Sequence, residues 1–311
     1  MIGVDVGGTK VAAGLLVDGR LGARVEEPTK KGSAQELIDQ IVALVRRLLE
    51  GAGPARAVGV GVPSVVEFSR GLVRSSVNVP LADIPLREVL SERLGLPSYV
   101  DNDATCAGIA EALGTTPAVE SLVILTLGTG VGGGIVIGGR PYRGATGAAA
   151  ELGHTIIAVP DHPPADQTFP RPGSLERLAS GTALDRLAEE LAAAGKLPQA
   201  EGASNGRALL AAARAGEPAA QAALHRYAHY VAIGVANAIN CFDPEVVALG
   251  GGVSEAGELL LEPVRDLARR YVLPGVGTKT EIRIAQAGPE AGIVGAALLA
   301  QLEHGNDNGA D

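Results

Sequence analysis

The glycine turn close to the amino terminus is the first segment whose residues could do chemistry. It reads DVGGTK over residues 5–10, and successive backbone N–H groups at Gly7, Gly8 and Thr9 can point at phosphate oxygens with no Cβ in the way. Asp5 could hold Mg²⁺ directly or through a water molecule. A plain hairpin turn could have the same sequence, so the segment alone favours neither interpretation.

A second glycine turn lies near the middle of the chain. The segment GTGVGG, residues 128–133, has the G-x-G-x-x-G spacing of dinucleotide-binding proteins, a motif that must open a helix. Here the following residues, GIVIGG, have the pattern of a strand, which excludes that interpretation. The remaining interpretation is a second turn that holds phosphate, formed by Gly128, Thr129 and Gly130.

A third glycine cluster and a carboxylate complete the candidate set. Gly250, Gly251 and Gly252 end an apolar strand, and they either let a flat ring such as adenine lie against the backbone or form a strand-to-helix turn. Asp103 follows Asn102 where a strand meets a helix, a usual place for ligand-facing residues. Phosphate cradles, a metal and a base that accepts an alcohol proton are what phosphoryl transfer to a hydroxyl needs. We therefore predict Asp103 as the base, although a helix N-cap would explain its position too.

The elements that must position these residues alternate between strands and helices, which predicts an α/β fold. The segments GVDVGGTKVAAGLLV and LTLGTGVGGGIVIGG both read as strand, glycine turn, strand, and suggest two related domains that face a shared cleft. We place one domain at residues 1–113 plus 290–311 and the other at residues 114–289. Helices are predicted at about 34–50, after a cap at Ser33, and at about 85–94, 104–114, 174–194, 203–214, 217–241, 255–271 and 290–302.

Composition and charge exclude several classes of protein. A net charge of −9 without basic runs makes a nucleic-acid binder a poor candidate. Two distant cysteines, Cys106 and Cys241, rule out a disulfide framework and fit a reducing cytoplasm. No signal peptide is expected, because Asp5 and Lys10 interrupt the apolar start. The uncharged residues 121–139 are interpreted as two buried strands around a glycine turn, and no membrane association is expected.

Seven motifs occur in a familiar order and spacing: DVGGTK, GVGVP, DNDA, LGTGVGGGI, ELGH, SLERLASG and DPEVVALGGG. Together they resemble the bacterial ROK family of sugar kinases, in the actin/hexokinase-like superfamily, over residues 1 to about 300. The resemblance implies two RNase H-like domains around an active-site cleft, and a homodimer. Family members that are repressors carry an amino-terminal helix-turn-helix, whereas this chain starts at the first strand, so an enzyme is expected.

The resemblance also implies roles for particular residues. Asp103 would be the base for the 6-hydroxyl of the sugar. The hydroxyls would be held by Asn78, Asn102, Asp103, Glu151, His154 and Glu176. Mg-ATP would use Asp5 with the turns formed by Gly7, Gly8, Thr9 and Lys10 and by Gly128, Thr129 and Gly130, and adenosine would lie near Gly250, Gly251 and Gly252.

The identity of the sugar is less constrained. Glucose is expected, with N-acetylmannosamine, fructose, mannose or allose as alternatives. Ser64 stands where the family usually has glycine in G-x-P-G, at a turn near the sugar, and this departure bears on substrate identity. A catalytically silent sugar sensor is the alternative from another class, and the intact base and phosphate turns count against it.

The segment from residue 150 to residue 176 departs most from the resemblance. Most ROK kinases place zinc here, with the histidine of E-x-G-H and three cysteines. In this chain the cysteine positions are Gln167, Phe169 and Ser174, and only His154 remains. Closed zinc sites need four good ligands, and His162, Asp161 and Asp166 would make an improvised set. We predict no structural zinc, so another group must orient His154.

Overall fold

The structure is a computed structural model that describes residues 1–76, 78–159, 162, 169–197 and 205–308. The elements up to residue 113 are, in chain order, β1 (Ile2–Val6), β2 (Lys10–Val17), β3 (Arg20–Pro28), α1 (Ala34–Ala52), β4 (Val58–Val62), β5 (Ser64–Glu67), β6 (Leu72–Ser76), α2 (Leu86–Leu94), β7 (Ser98–Asn102) and α3 (Asp103–Leu113). The later elements are β8 (Leu122–Leu127), β9 (Val131–Ile137), β10 (Arg140–Pro141), α4 (Leu175–Ala179), α5 (Gly181–Ala193), α6 (Gly206–Arg214), α7 (Pro218–Phe242), β11 (Val246–Gly250), α8 (Glu258–Ala268), β12 (Glu281–Ile284) and α9 (Ala291–Asn308).

These strands form two five-stranded sheets and one two-stranded sheet. The order is β3-β2-β1-β4-β7 in the first sheet and β10-β9-β8-β11-β12 in the second, and β5 pairs with β6. Strands and helices alternate along the chain, which confirms the predicted α/β class.

The chain forms two compact units. The first contains Met1–Ser121, Gly134–Ala150 and Gln286–Asp311, and the second contains Leu122–Gly133 and Glu151–Ala285. The predicted domains, residues 1–113 with 290–311 and residues 114–289, stay a prediction.

Parallel pairing in the first sheet brings three strand ends to one edge. β1 pairs with β4 so that Asp5 lies opposite Gly61, and β4 pairs with β7 so that Val62 lies opposite Asn102. The carboxyl ends of parallel strands are the usual place for ligands in α/β proteins. The glycine turn after β1 and the Asn102–Asp103 junction therefore leave the same edge of one sheet.

Helix α9 packs directly on this sheet because glycines face it. A Cβ on Gly3 would lie 1.9 Å from the carbonyl oxygen of Ile293, and a Cβ on Gly59 would lie 1.7 Å from that of Ala296. Only glycine permits so close an approach between helix and strand. The sheet edge that carries Asp5 is thus fixed against the last helix of the chain.

In the second unit, β11 pairs in parallel with both β8 and β12. The long helix α7 contributes Tyr227, which is fully buried and donates its hydroxyl proton to the carbonyl oxygen of Ala179, 2.6 Å away. That hydrogen bond joins α7 to α4, the short helix that carries Glu176.

Several predicted elements are confirmed and others are wrong in extent. Helix α1 begins after Ser33, whose Oγ accepts from the backbone N–H of Glu36, as predicted. The helix predicted at 174–194 is two helices, because Ser180 ends α4 and caps α5 through the N–H of Ala183. The helix predicted at 255–271 begins as a 3-10 turn, Gly252–Ala256, and α8 ends at Ala268. The last helix continues to Asn308, six residues beyond its predicted end at 302.

Residues 121–139 contain β8 and β9, as expected for two strands around a glycine turn. Among the residues that the structure describes, we find no helix with the length and apolar character that crossing a membrane requires.

Candidate active site

The first glycine turn is fixed through its carbonyl groups. The N–H of Gly7 donates to the carbonyl oxygen of Lys10 at 2.8 Å, and the Thr29 hydroxyl donates to that of Gly7 at 2.7 Å. The backbone N–H of Thr29 donates to the carbonyl oxygen of Thr9 at 3.0 Å. Within the described part of the chain, the N–H groups of Gly8 and Thr9 have no acceptor. The turn therefore presents two backbone donors, which is what a phosphate cradle requires.

Space beside this turn is limited by Asn78. A Cβ on Gly8 would lie 3.5 Å from the Cβ of Asn78, an ordinary van der Waals contact. Asn78 is exposed, so its amide is accessible next to the turn. The structure thus brings together two residues that were predicted for different substrates, one for ATP and one for the sugar.

Asp5 lies between this turn and the first residues of α9. A Cβ on Gly292 would lie 2.4 Å from the Cγ of Asp5, so the carboxylate packs against the first turn of α9. Burial raises the pKa of Asp5, and the charge of Lys10 opposes the rise. The partial positive charge of a helix amino terminus favours the ionised carboxylate, the form that binds a cation. The predicted role of Asp5 in holding Mg²⁺ stays a prediction.

The junction of β7 and α3 orients the predicted base. The side-chain oxygen of Asn102 accepts from the backbone N–H groups of Ala104 and Thr105 at 2.9 and 3.1 Å, so Asn102 is the N-cap. Asp103 is the first residue of α3, and its Oδ1 accepts from the N–H of Ala104 at 2.8 Å. The N-cap role considered for Asp103 therefore belongs mainly to Asn102. The carboxylate of Asp103 is held in one orientation at the start of α3.

The neighbouring turn contains the unusual Ser64. Asn102 donates its amide proton to the carbonyl oxygen of Ser64 at 3.3 Å, so this turn lies beside a predicted sugar-binding residue. The Ser64 hydroxyl is buried and has no hydrogen-bond partner among the described residues. A buried hydroxyl without a partner is costly, which sets this position apart from the glycine usual in the family.

Behind the Asn102–Asp103 junction lies a buried ion pair that sequence reasoning missed. Asp101 is 1% exposed and accepts from the Nε of Arg143 at 2.7 Å, and Arg143 also donates to Glu303 at 2.9 Å. The guanidinium lies 3.5 Å from the ring centroid of Phe68. Burial raises the pKa of Asp101, and the charge and hydrogen bond of Arg143 oppose the rise. No local pattern could reveal a group whose members are so far apart in the chain.

In the second unit, the turn after β8 is held by the start of α5. The N–H of Gly181 donates to the carbonyl oxygen of Gly128 at 2.6 Å, and the hydroxyl of Thr182 donates to that of Thr129 at 2.8 Å. A strand follows this turn, as the sequence indicated, so the dinucleotide motif is absent. The second predicted phosphate turn is therefore an ordered loop.

Glu176 lies directly on this turn. Its Oε2 accepts from the N–H of Val131 at 2.9 Å, and a Cβ on Gly130 would lie 2.3 Å from the same oxygen. Gly130 is thus required for the carboxylate to come so close. Glu176 was predicted to bind the sugar, and the structure places it beside residues predicted to bind phosphate.

The third glycine cluster lies next to the same turn. Gly251 has φ of 80°, and a Cβ there would lie 2.5 Å from the carbonyl oxygen of Leu127, the residue before Gly128. Gly252 has nothing within 4 Å of such a Cβ. Backbone contact thus explains Gly251, whereas the open space at Gly252 is where a flat ring could lie.

Glu151 and His154 form a half-exposed pair on the 3-10 turn Leu152–His154. Their side chains approach to 3.7 Å between Nε2 and Oε2. Burial raises the pKa of Glu151, the charge of His154 opposes that rise, and the charge of Glu176 adds to it. The second unit therefore brings together Glu151, His154 and Glu176, three residues predicted to bind the sugar.

The expectation about zinc stays a prediction. Among the described residues, no group of three or more His, Cys, Asp or Glu side chains could hold a metal ion. His162 is described and exposed, whereas Asp161, Asp166 and Gln167 lie outside the described residues.

Comparison with known proteins agrees with this geometry. The model of the ROK family matches residues 1–303. A glucokinase of Streptomyces coelicolor is 36% identical, over 96% of this chain and 97% of the relative. A solved ROK hexokinase from Thermus thermophilus has a TM-score of 0.83 and 38% identity, with 98% of this chain and 99% of that chain covered. A solved ROK glucokinase from Streptomyces griseus, in complex with glucose and AMPPNP, has a TM-score of 0.80 and 35% identity, covering 97% of this chain and 99% of that chain.

These matches confirm the predicted actin/hexokinase-type fold. With a family model matched along nearly its whole length and relatives above 30% identity, the chain belongs to the ROK family.

Proposed function

We propose that this ATP-dependent hexokinase phosphorylates glucose at its 6-hydroxyl, with Asp103 as the general base. The observation that carries the proposal is the register of the first sheet. It places the Gly7–Thr9 donors and the Asn102–Asp103 junction at one edge, at the ends of parallel strands. The relative from Streptomyces griseus, solved with glucose and AMPPNP, supports the choice of substrates.

The place of Asp103 in the fold supports the proton transfer that we assign to it. One carboxylate oxygen is held by the N–H of Ala104, which limits rotation of the side chain. As the 6-oxygen of the sugar bonds to the γ-phosphorus of ATP, the bond to the leaving ADP oxygen breaks and Asp103 accepts the hydroxyl proton. The proton then passes to solvent. A positioned base of this kind typically contributes ~10²–10⁴-fold in rate.

Backbone donors at both glycine turns would hold the phosphates of ATP. In the first unit these are the N–H groups of Gly8 and Thr9, with Lys10 close by. The other predicted phosphate turn is Gly128, Thr129 and Gly130, and adenosine would lie near Gly250, Gly251 and Gly252. Asp5 would hold Mg²⁺, which when bound neutralises negative charge on the phosphate oxygens.

Sugar recognition is assigned to amides, carboxylates and one imidazole. Asn78 and Asn102 would supply amide groups, Glu151 and Glu176 would supply carboxylates, and His154 would supply the imidazole. Hydrogen bonds in fixed directions give specificity, because a sugar that leaves a polar group unpaired is penalised.

The decisive experiment is ADP release measured with a panel of hexoses and N-acetylhexosamines, with the product identified by ³¹P NMR. Glucose should give the highest kcat/KM, and glucose 6-phosphate should be the product. Best turnover with N-acetylmannosamine, fructose, mannose or allose would change the substrate while keeping the reaction. Sugar binding without ADP release would favour the alternative of a non-catalytic sensor.

The family resemblance supports two further proposals, a homodimer and a cytoplasmic location. Light scattering at several concentrations would test the dimer, and a monomer at micromolar concentration would contradict it. Fractionation of the producing cells would test the location, and recovery in the membrane or the medium would contradict it.

A further inference from the structure

His154, one of the predicted sugar-binding residues, is in contact with an aromatic ring. Its imidazole meets the ring of Phe169 edge to face, with centroids 5.5 Å apart and an angle of 76° between the rings. The guanidinium of Arg171 lies over the Phe169 ring, 4.6 Å from its centroid. We call His154, Phe169 and Arg171 the aromatic stack.

Backbone hydrogen bonds join the two chain segments that carry the aromatic stack. The N–H of Ile157 donates to the carbonyl oxygen of Gly173 at 2.8 Å, and the N–H of Leu175 donates to that of Thr155 at 2.9 Å. These bonds tie the residues after His154 to those between Phe169 and α4. On the other side, a Cβ on Gly153 would lie 2.1 Å from the carbonyl oxygen of Val131, so the turn that carries His154 is packed against β9.

The ring of Phe169 lies largely in solvent. It is 59% exposed, so it adds little to the hydrophobic core. Its described ring contacts are with His154 on one side and Arg171 on the other. A cation above an aromatic face and an edge-to-face ring pair both favour particular orientations, so this arrangement restricts how the imidazole can turn.

We infer that Phe169 is a positioning residue that orients the His154 imidazole toward a sugar hydroxyl, and that Arg171 supports the Phe169 ring. The inference rests on the proposed function, since it takes His154 as a sugar-binding group. Phe169 acts on binding rather than on proton transfer, which belongs to Asp103. Loss of its ring should therefore raise KM for the sugar and leave kcat almost unchanged.

The test compares Phe169→Tyr, Phe169→Leu and Phe169→Ala, with Val159→Ala as the control. Val159 is an apolar residue of the same segment, 94% exposed. Loss of one aromatic contact should raise KM for glucose roughly 3- to 10-fold in the Leu and Ala variants. KM for ATP should not change, and Phe169→Tyr and the control should behave like the wild type. In a His154→Gln background, Phe169→Ala should have no further effect on KM, because the two residues act as one unit.

A measurement independent of turnover is the ¹H NMR spectrum of the His154 ring, assigned by the signals that His154→Gln removes. Those signals should move in Phe169→Leu, because the neighbouring ring current is lost, and stay in place in Val159→Ala. Unmoved signals, or an unchanged KM for glucose in Phe169→Ala, would overturn the inference. If the signals move but the wild type phosphorylates no hexose, the proposed function has failed, and with it the role given to His154.

Discussion

Removing the side chain of Arg143 should lower the free energy of unfolding, because it breaks the buried ion pair with Asp101. Arg143→Ala leaves the carboxylate of Asp101, 1% exposed, without the guanidinium 2.7 Å away. Breaking a buried ion pair from one side typically costs ~3–5 kcal/mol. The Arg143 side chain is itself 18% exposed, which admits some water, so we expect about 3 kcal/mol.

The assay is equilibrium unfolding in urea at pH 7, with Arg140→Ala as the control. Arg140 lies three residues before Arg143, in β10, and is exposed. Its side chain donates to Asn306 at 3.0 Å, so its loss should cost no more than ~1 kcal/mol. Adding Asp101→Asn to Arg143→Ala should cost less than the sum of the two single changes, because the residues form one pair.

The pH dependence of the same variant has a definite sign. Burial raises the pKa of Asp101, so the native state holds the proton more readily than the unfolded chain does. The contribution of Asp101 to the free energy of unfolding therefore falls as the pH rises from the ordinary aspartate pKa through the raised pKa. Without Arg143 the pKa of Asp101 should rise further, because the charge and hydrogen bond that lower it are lost. The free energy of unfolding that Arg143→Ala loses relative to the wild type should therefore become smaller as the pH is lowered from 7. A loss no larger than that of Arg140→Ala, or a deficit that grows in acid, would refute the reasoning.

Two further predictions concern the ligands. A Cβ on Gly8 has room 3.5 Å from that of Asn78, but the further methyl groups of Gly8→Val would fill the proposed phosphate cradle. Loss of one charge-assisted hydrogen bond, ~1.5–3 kcal/mol, should lower kcat/KM for ATP roughly 10- to 100-fold, and unchanged ATP kinetics would refute the placement. Elemental analysis should find no zinc, and activity lost on chelation should return fully with Mg²⁺ alone, whereas one zinc per chain would contradict the expectation.

Much of the fold could be predicted because its signals are local. The cap at Ser33, the apolar period of α1 and the paired strands at residues 122–137 follow from neighbouring residues. The break between α4 and α5 was missed because the apolar residues before Ser180 and after Gly181 keep the spacing of one continuous helix. There the N–H of Gly181 bonds to Gly128, a contact that only the folded chain reveals.

The end of α9 shows the same limit. The polar tail predicts no helix after residue 302, yet the helix runs to Asn308. The hydroxyl of Tyr99 donates to Asp307 at 2.5 Å, and Arg140 donates to Asn306 at 3.0 Å. These long-range contacts hold residues whose own propensity for helix is low.

The candidate site was predictable in part. Glycine turns and acids at strand ends are visible in sequence, and the structure places each on an ordered turn or helix end. Contacts between distant segments were not predictable, including Glu176 on Val131, the Arg143 ion pair and the ring of Phe169 beside His154. They depend on tertiary approach, which no spacing rule encodes.

The role of Asp103 is most directly tested by Asp103→Asn, with Asp266→Asn, an exposed residue of α8, as the matched control. Steady-state ADP release and isothermal titration with glucose should be measured on the same preparations. We expect kcat to fall at least ~10²-fold, the usual effect of losing a general base, while glucose binding stays measurable. Turnover close to that of the wild type would show that Asp103 is not the base.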